Sequence, residues 1–221
     1  MNEFANRARR VLIVDDHPIV RQGLRQLIDQ EDDLKVCGEA ADVREAHAAL
    51  QQTQPNVVVL DLSLRGSNGI DLIKDIRSKY GQLPVLVCSM HDESVYAERL
   101  LSAGANGYIM KEATADQLLS ALRQVLAGEL YVSEHVKSRM MEQVAVGGRK
   151  QPEDRIERLS NRELEILGLL GQGKTTREVA ESLNLSGKTI DTHRQRIKNK
   201  LGLQTSAQVT QFAIHRQLMG T

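Results

Sequence analysis

The stretch Pro55 to Gly69, PNVVVLDLSLRGSNG, constrains the fold more than any other part of the chain. Val57, Val58, Val59 and Leu60 form a β-branched run that is too short for a helix and apolar on both sides, the pattern of a central parallel strand covered on both faces. Asp61 follows at once. An acid just past the carboxyl end of such a strand sits where open α/β sheets place their ligand crevice, and glycines at 66 and 69 let the backbone approach closely there. Taken alone, Asp61 reads equally well as the cap of a βα loop. A second acidic site elsewhere in the chain shifts that balance.

The second site is near the start. Val11 to Val14 reads as a buried strand ending in Asp15, Asp16, His17 and Pro18, so two adjacent acids occupy the position that Asp61 holds after its own strand. Helix follows from Ile19, with Val20, Leu24, Leu27 and Ile28 on one face. Strand 34–39, helix 43–52, the strand before Asp61 and helix 70–79 continue the alternation. Strand 85–88 stops at Ser89, a helix over 93–102 is ended by Gly104, and strand 107–110 stops at Lys111. The capping box Thr114 to Gln117 opens a last helix that buries Leu118, Leu119, Leu122, Val125 and Leu126. Five βα units in succession, with short strands and right-handed crossovers, predict an α/β fold with a five-stranded doubly wound parallel sheet.

In such a sheet the residues ending strands one, three, four and five share one edge, which predicts that Asp15, Asp16, Asp61, Ser89 and Lys111 converge. Three carboxylates at close quarters repel one another unless a hard cation joins them, and Mg²⁺ suits such a set of oxygens. With the cation and the Lys111 amine neutralising it, the site can bind a phosphoryl group, and a carboxylate can attack phosphorus to give an acyl phosphate.

These residues resemble the receiver domain of bacterial two-component response regulators, of the flavodoxin-like fold, over residues 9–128. The resemblance implies that Asp61 is the phosphoacceptor and that Asp15, Asp16, Asp61 and the backbone carbonyl of Ser63 hold Mg²⁺. It implies that Ser89 and Lys111 contact the phosphoryl oxygens and that Tyr108 is the aromatic switch that turns inward when Ser89 moves. Two positions depart from the usual receiver pattern: Leu64 and Arg65 stand where Met-Pro is common, and Glu112 where a proline often follows the lysine.

The net charge of zero hides an asymmetry. Residues 1–148 carry 16 Lys/Arg against 21 Asp/Glu, and residues 149–221 carry 13 against 8, so the front is at −5 and the back at +5. An acidic module joined to a basic one predicts two jobs, with the basic end facing a polyanion. Cys37 and Cys88 lie in apolar strand-like runs and read as buried free thiols, and no histidine and cysteine cluster has metal spacing. The absence of an apolar run near about 18 residues and of a secretory signal pattern predicts a cytoplasmic chain without membrane contact.

Residues 129–158 read as one weakly amphipathic helix, over 132–146, and a flexible linker where Gly147, Gly148, Arg149, Lys150, Gln151 and Pro152 break all periodicity. From Ser160 three capping boxes follow, at Ser160, Thr175 and Thr205, and with them four helices: one to Leu170, a short one over 177–183, a longer one over 187–201 and a last over 206–218. The second and third, joined by a turn at Asn184, Leu185 and Ser186, make a helix-turn-helix. On the longer helix Ile190, Ile197 and Leu201 share one narrow face. Lys188, Thr192, Gln195, Arg196 and Asn199 face the other way, with Asp191 at the border, and most of these are donors suited to bases and phosphates.

Within a second domain read over 159–221, residues 159–203 resemble the all-α LuxR-type helix-turn-helix domain of NarL/FixJ-class response regulators, on Leu159, Arg162, Glu163, Glu165, Gly173, Glu178, Ala180, Leu183, Thr189, His193, Lys200 and Leu201. The resemblance adds Thr189 and Lys200 to the DNA-contact candidates. Asp191 stands where the family commonly has a basic residue. The whole chain then reads as a transcription factor rather than an enzyme. A sensor histidine kinase phosphorylates Asp61, and the protein dimerises and binds double-stranded promoter DNA. The rival reading, a Mg²⁺-dependent phosphatase of the haloacid dehalogenase type, needs a second Asp two residues after the nucleophile, where this chain has Ser63.

Overall fold

The computed structural model describes residues 8–64, 67–91, 93–145, 156, 158–183 and 185–219. The expected linker at 147–152 lies outside these residues, as do Arg65, Gly66 and Asn184. Contacts divide the chain into two compact units, Met1–Ser138 and Arg139–Thr221.

In the first unit, strands and helices alternate. They are β1 (Arg9–Val14), α1 (Pro18–Asp29), β2 (Leu34–Ala40), α2 (Val43–Thr53), β3 (Val57–Leu60), β4 (Ser63–Leu64), β5 (Ser67–Asn68), α3 (Gly69–Tyr80), β6 (Val85–Ser89), α4 (Glu93–Ala103), β7 (Gly107–Met110) and α5 (Ala115–Leu126), and the next helix, α6 (Glu134–Ala145), contains the division between the units. The main sheet is parallel, in the order β2-β1-β3-β6-β7. Alternate strand residues Val11, Ile13, Val57, Val59, Leu86, Cys88 and Ile109 pack with Ile28 of α1 and with Leu118, Leu119, Leu122 and Val125 of α5. The residues between them, Leu12, Val14, Val58, Leu60 and Val87, are buried as deeply, so both faces of the sheet are covered. That double burial is why β3 reads as an unbroken apolar run.

The order of strands reverses between β1 and β3, which makes their carboxyl ends the switch point of the sheet and opens a crevice there. Register locks the two together: Val14 pairs with Leu60, and the Asp61 amide donates to the Val14 carbonyl at 2.8 Å.

Two features differ from the periodicity. A two-stranded antiparallel hairpin, β4–β5, follows Asp61, where the sequence suggested only a glycine turn. Helix α6 starts at Glu134 rather than at 132, because Tyr131 is taken by a parallel bridge to Gly107 on the edge strand β7. Both cysteines are free; Cys88 is buried and Cys37 half-buried.

The second unit contains α7 (Asn161–Gly171), α8 (Thr176–Ser182), α9 (Gly187–Leu201) and α10 (Ser206–Met219). Capping boxes form at Ser160 with Glu163 and at Thr175 with Glu178, and Thr205 and Gln208 exchange the same pair of bonds at 3.2 Å each. Each satisfies amide donors that a helix start would otherwise leave unpaired. Gly202, at φ 70°, ends α9 in the left-handed conformation that suits glycine. Leu164, Ile166, Leu167 and Leu170 of α7 are buried, as are Val179 and Ala180 of α8, Ile190, Ile197 and Leu201 of α9, and Val209 and Ala213 of α10. Among the described residues no helix is long and apolar enough to cross a membrane.

Candidate functional site

Asp15 follows β1, Asp61 follows β3, Ser89 ends β6 and Lys111 follows β7, and the parallel order brings all four to one edge of the sheet. Asp15, Asp61 and Ser89 are almost wholly buried. Lys111 Nζ lies 2.6 Å from Asp15 Oδ2 and 2.7 Å from Asp61 Oδ2, so one ammonium bridges two carboxylates that would otherwise repel across the crevice. Burial opposes the charge on Lys111, yet the two carboxylates outweigh it, and the amine pKa is raised. The lysine is held as a cation at neutral pH.

Asp16 and His17 complete the cluster. His17 Nδ1 lies 2.7 Å from Asp16 Oδ1, 3.2 Å from Asp15 Oδ1 and 4.0 Å from Asp61 Oδ2. One donor atom from each of Asp15, Asp16, His17 and Asp61 fits within 4.8 Å of the others. Three carboxylates at that spacing fit a hard divalent cation such as Mg²⁺. The floor of the site is built from backbone. The His17 amide donates to Asp15 Oδ1 at 2.7 Å, the Ser63 amide to Asp61 Oδ1 at 3.2 Å, and Arg21 donates to the Asp15 carbonyl at 2.5 Å. Gly69 is required beside it, since a Cβ there would lie 2.8 Å from the Asp61 carbonyl oxygen and 2.9 Å from Leu62 Cα, both backbone atoms that cannot swing away.

A second layer joins the loops above the crevice. Ser63 Oγ and His91 Nε2 are 2.9 Å apart, the His91 amide donates to Ser89 Oγ at 3.3 Å, and the His91 ring stacks on Tyr96 at 4.9 Å. Tyr108 is buried, and its hydroxyl donates to the His91 carbonyl at 2.5 Å. Burial pushes the Tyr108 phenol well above its ordinary pKa, so it remains a neutral donor. The described peptide bonds are all trans, including the one joining Lys111 to Glu112.

The sequence pattern pointed to the strand ends but not to His17, Arg21 or His91 as parts of the site. A signal for one of them was present. Ser63 stands two residues after Asp61 and His91 two after Ser89, so two neighbouring loops offer a hydroxyl and an imidazole at equal depth.

In the second unit the outward face of α9 presents Lys188, Asp191, Thr192, Gln195, Arg196 and Asn199, all exposed. Asp191 makes no ion pair among the described residues. Arg194, a candidate partner for it, is committed elsewhere: it donates to Thr176 Oγ1 at 2.7 Å, to the Ser206 carbonyl at 3.2 Å and to Thr210 Oγ1 at 3.1 Å, stapling α9 to α8 and α10. The remaining two candidates carry internal bonds. The Thr189 hydroxyl lies 2.7 Å from Ser186 Oγ, and Lys200 Nζ lies 2.7 Å from Glu163 Oε2.

Comparison with known proteins places this geometry. The profile described as response regulator receiver domain matches residues 11–123, and that of the bacterial regulatory proteins of the luxR family matches residues 157–213. Oxygen regulatory protein NreC of Staphylococcus aureus is 33% identical over 214 residues, covering 95% of this chain and 99% of that protein. A two-component response regulator of the LuxR family from Aurantimonas sp. is 37% identical over 63% of this chain and 99% of its own, with a TM-score of 0.58. RcsB of Salmonella enterica serovar Typhimurium, in a structure bound to promoter rprA in the presence of the phosphomimetic BeF₃⁻, is 28% identical over 94% of this chain and 98% of its own, with a TM-score of 0.61.

Proposed function

Because the chain belongs to the NarL class of DNA-binding two-component response regulators, with a receiver domain ahead of a LuxR-family helix-turn-helix, we propose that Asp61 is its phosphoacceptor and that phosphorylation controls promoter binding. The observation that carries the reading is the Lys111 ammonium lying between Asp15 and Asp61 beside the buried Ser89 hydroxyl. In the transfer, an Asp61 carboxylate oxygen attacks phosphorus, the new O–P bond forms, and the P–N bond to the histidine of a sensor kinase breaks. Lys111 and Ser89 receive the phosphoryl oxygens, Lys111 giving up a carboxylate contact to do so. Tyr108 follows Ser89 as the switch.

Mg²⁺ is the proposed cofactor, held by Asp15, Asp16, Asp61 and the Ser63 carbonyl. When bound it supplies the positive charge that lets a phosphoryl group sit among three acids. What supports this is the close set of carboxylate oxygens.

The proposed organisation is a receiver over 9–128, a connecting helix and linker over 129–158, and a DNA-binding domain over 159–221. Its reading face is Lys188, Thr189, Asp191, Thr192, Gln195, Arg196, Asn199 and Lys200 on α9; of these, the Thr189, Thr192 and Lys200 side chains also have partners inside the unit. The partners are a cognate sensor histidine kinase, double-stranded promoter DNA and, on phosphorylation, a second copy of the chain. The compartment is the cytoplasm.

Acetyl phosphate with Mg²⁺ tests the central claim. The wild type should become phosphorylated, read by retardation on a phosphate-binding gel, and Asp61→Asn should not. Equal modification of the two proteins would sink the assignment.

A further inference from the structure

The segment that leaves the receiver is fastened to the switch itself. After α5 the chain returns to the sheet edge, where the Tyr131 amide donates to the Asn106 carbonyl at 3.1 Å and the Tyr108 amide donates to the Tyr131 carbonyl at 2.7 Å. The backbone that carries the Tyr108 ring is therefore bonded to the exit segment. Two residues on, the Ser133 amide donates to the Glu93 carboxylate, the first residue of α4, at 2.8 Å. Ser133 also receives the Val136 amide on its hydroxyl at 3.3 Å, opening α6. Val132 and Val136 are buried between these bonds.

The sequence makes room for this contact. Gly107 on β7 faces Tyr131, and a Cβ there would lie 2.9 Å from the Tyr131 carbonyl oxygen and 3.0 Å from Tyr131 Cβ. A side chain at that position would push the exit segment off the sheet.

Residues 131 and 133 can be separated by at most about 7 Å of extended chain. One end of this short span is fixed to β7 and the other to α4. A displacement of α4 relative to β7 beyond the reach of the Glu93 side chain breaks the Glu93–Ser133 bond and leaves the two backbone bonds of Tyr131 in place. Because Ser133 stands at the start of α6, its release alters the first turn of that helix.

We propose that residues 131–133 are an output strap, by which rearrangement at Ser89, Tyr108 and the start of α4 is passed to α6 through the Glu93–Ser133 bond. The proposal rests on the reading of Asp61 as phosphoacceptor. It adds a route by which the phosphoryl group acts on the remainder of the chain and names Glu93 as its positioning residue.

Amide hydrogen exchange on the full-length protein, with and without Mg²⁺ and beryllofluoride, tests it. Glu93→Ala removes the acceptor, whereas Glu93→Gln keeps an oxygen in its place. In the wild type, beryllofluoride should speed exchange over residues 130–138. In Glu93→Ala these amides should exchange fast from the outset and show no further change, and Glu93→Gln should behave as wild type.

Binding to mixed-sequence duplex DNA gives the functional readout. Beryllofluoride should change wild-type affinity by about fivefold or more, and in Glu93→Ala the ratio should fall to within about twofold of one. Wild-type exchange over 130–138 that ignores beryllofluoride would overturn the strap. So would Glu93→Ala with a wild-type affinity ratio. Failure of the underlying reading looks different: beryllofluoride would then leave residues 57–64 unprotected as well.

Discussion

Lys200 of α9 and Glu163 of α7 meet at 2.7 Å, and the same Glu163 Oε2 accepts the Ser160 amide at 2.6 Å. One carboxylate thus caps α7 and anchors α9 to it. Burial alone would raise the Glu163 pKa, but the bonds from Lys200 and Ser160 outweigh it and hold the group below its ordinary 4.5.

A group with a depressed folded-state pKa contributes stability that is fully present above its unfolded pKa and is lost as pH falls through the folded one. For Glu163 that window opens below about pH 4.5. Glu163→Gln should cost about 1.5–3 kcal/mol at neutral pH, the usual range for a bond to a charged group, and should flatten the acid limb of the stability profile. Thermal unfolding of both full-length proteins between about pH 3 and 7 checks this. Parallel acid limbs would show that the ion pair carries no linkage.

Lys111 has the corresponding place in the receiver. Its removal leaves Asp15 and Asp61 facing each other, buried, without their shared cation. Lys111→Met should destabilise the receiver by about 3–5 kcal/mol in chelator, as expected when one partner of a buried ionic group is deleted. Mg²⁺ should then raise the melting temperature of the variant more than that of the wild type, since the metal supplies the missing charge. An equal response in both proteins would mean that the cation does not sit among these carboxylates.

What the sequence discloses about these sites follows from where information is local. Asp15, Asp61, Ser89 and Lys111 each end an apolar run, and a parallel sheet turns that one-dimensional regularity into a single edge. The inward seam of α9 was legible for the same reason: Ile190, Ile197 and Leu201 recur at helical spacing and are all buried. The Ser63–His91 contact spans 28 residues, and no period in the chain announces it. Arg194 reads as one more cation on a basic helix. Only the approach of α8 and α10 turns it inward, onto Thr176 and Thr210. The bridge at Tyr131 was not legible, because its bonding partner, the bare edge of β7, is exposed by topology and not by composition.

That inward turn of Arg194 sharpens what is expected of its neighbour Asp191. The carboxylate is exposed at the border of the reading face and has no ion pair among the described residues, so pairing with Arg194 or Arg196 does not account for it. Near phosphates a negative charge weakens general affinity, whereas in the major groove a carboxylate accepts a hydrogen bond from cytosine N4. Each correct polar contact of this kind contributes about 1–3 kcal/mol of discrimination. Asp191→Ala should therefore bind mixed-sequence DNA more tightly and lose its preference at one position in each half-site, with an unchanged melting temperature. Lys188→Ala should instead weaken binding to all sequences alike and lower the slope of log affinity against log salt by about one, as loss of a single phosphate contact does. Selection from a random duplex pool, run on the wild type and on both variants, separates these outcomes. An unaltered motif for Asp191→Ala would remove that residue from the reading set and leave Lys188, Thr192, Gln195 and Asn199 to carry specificity.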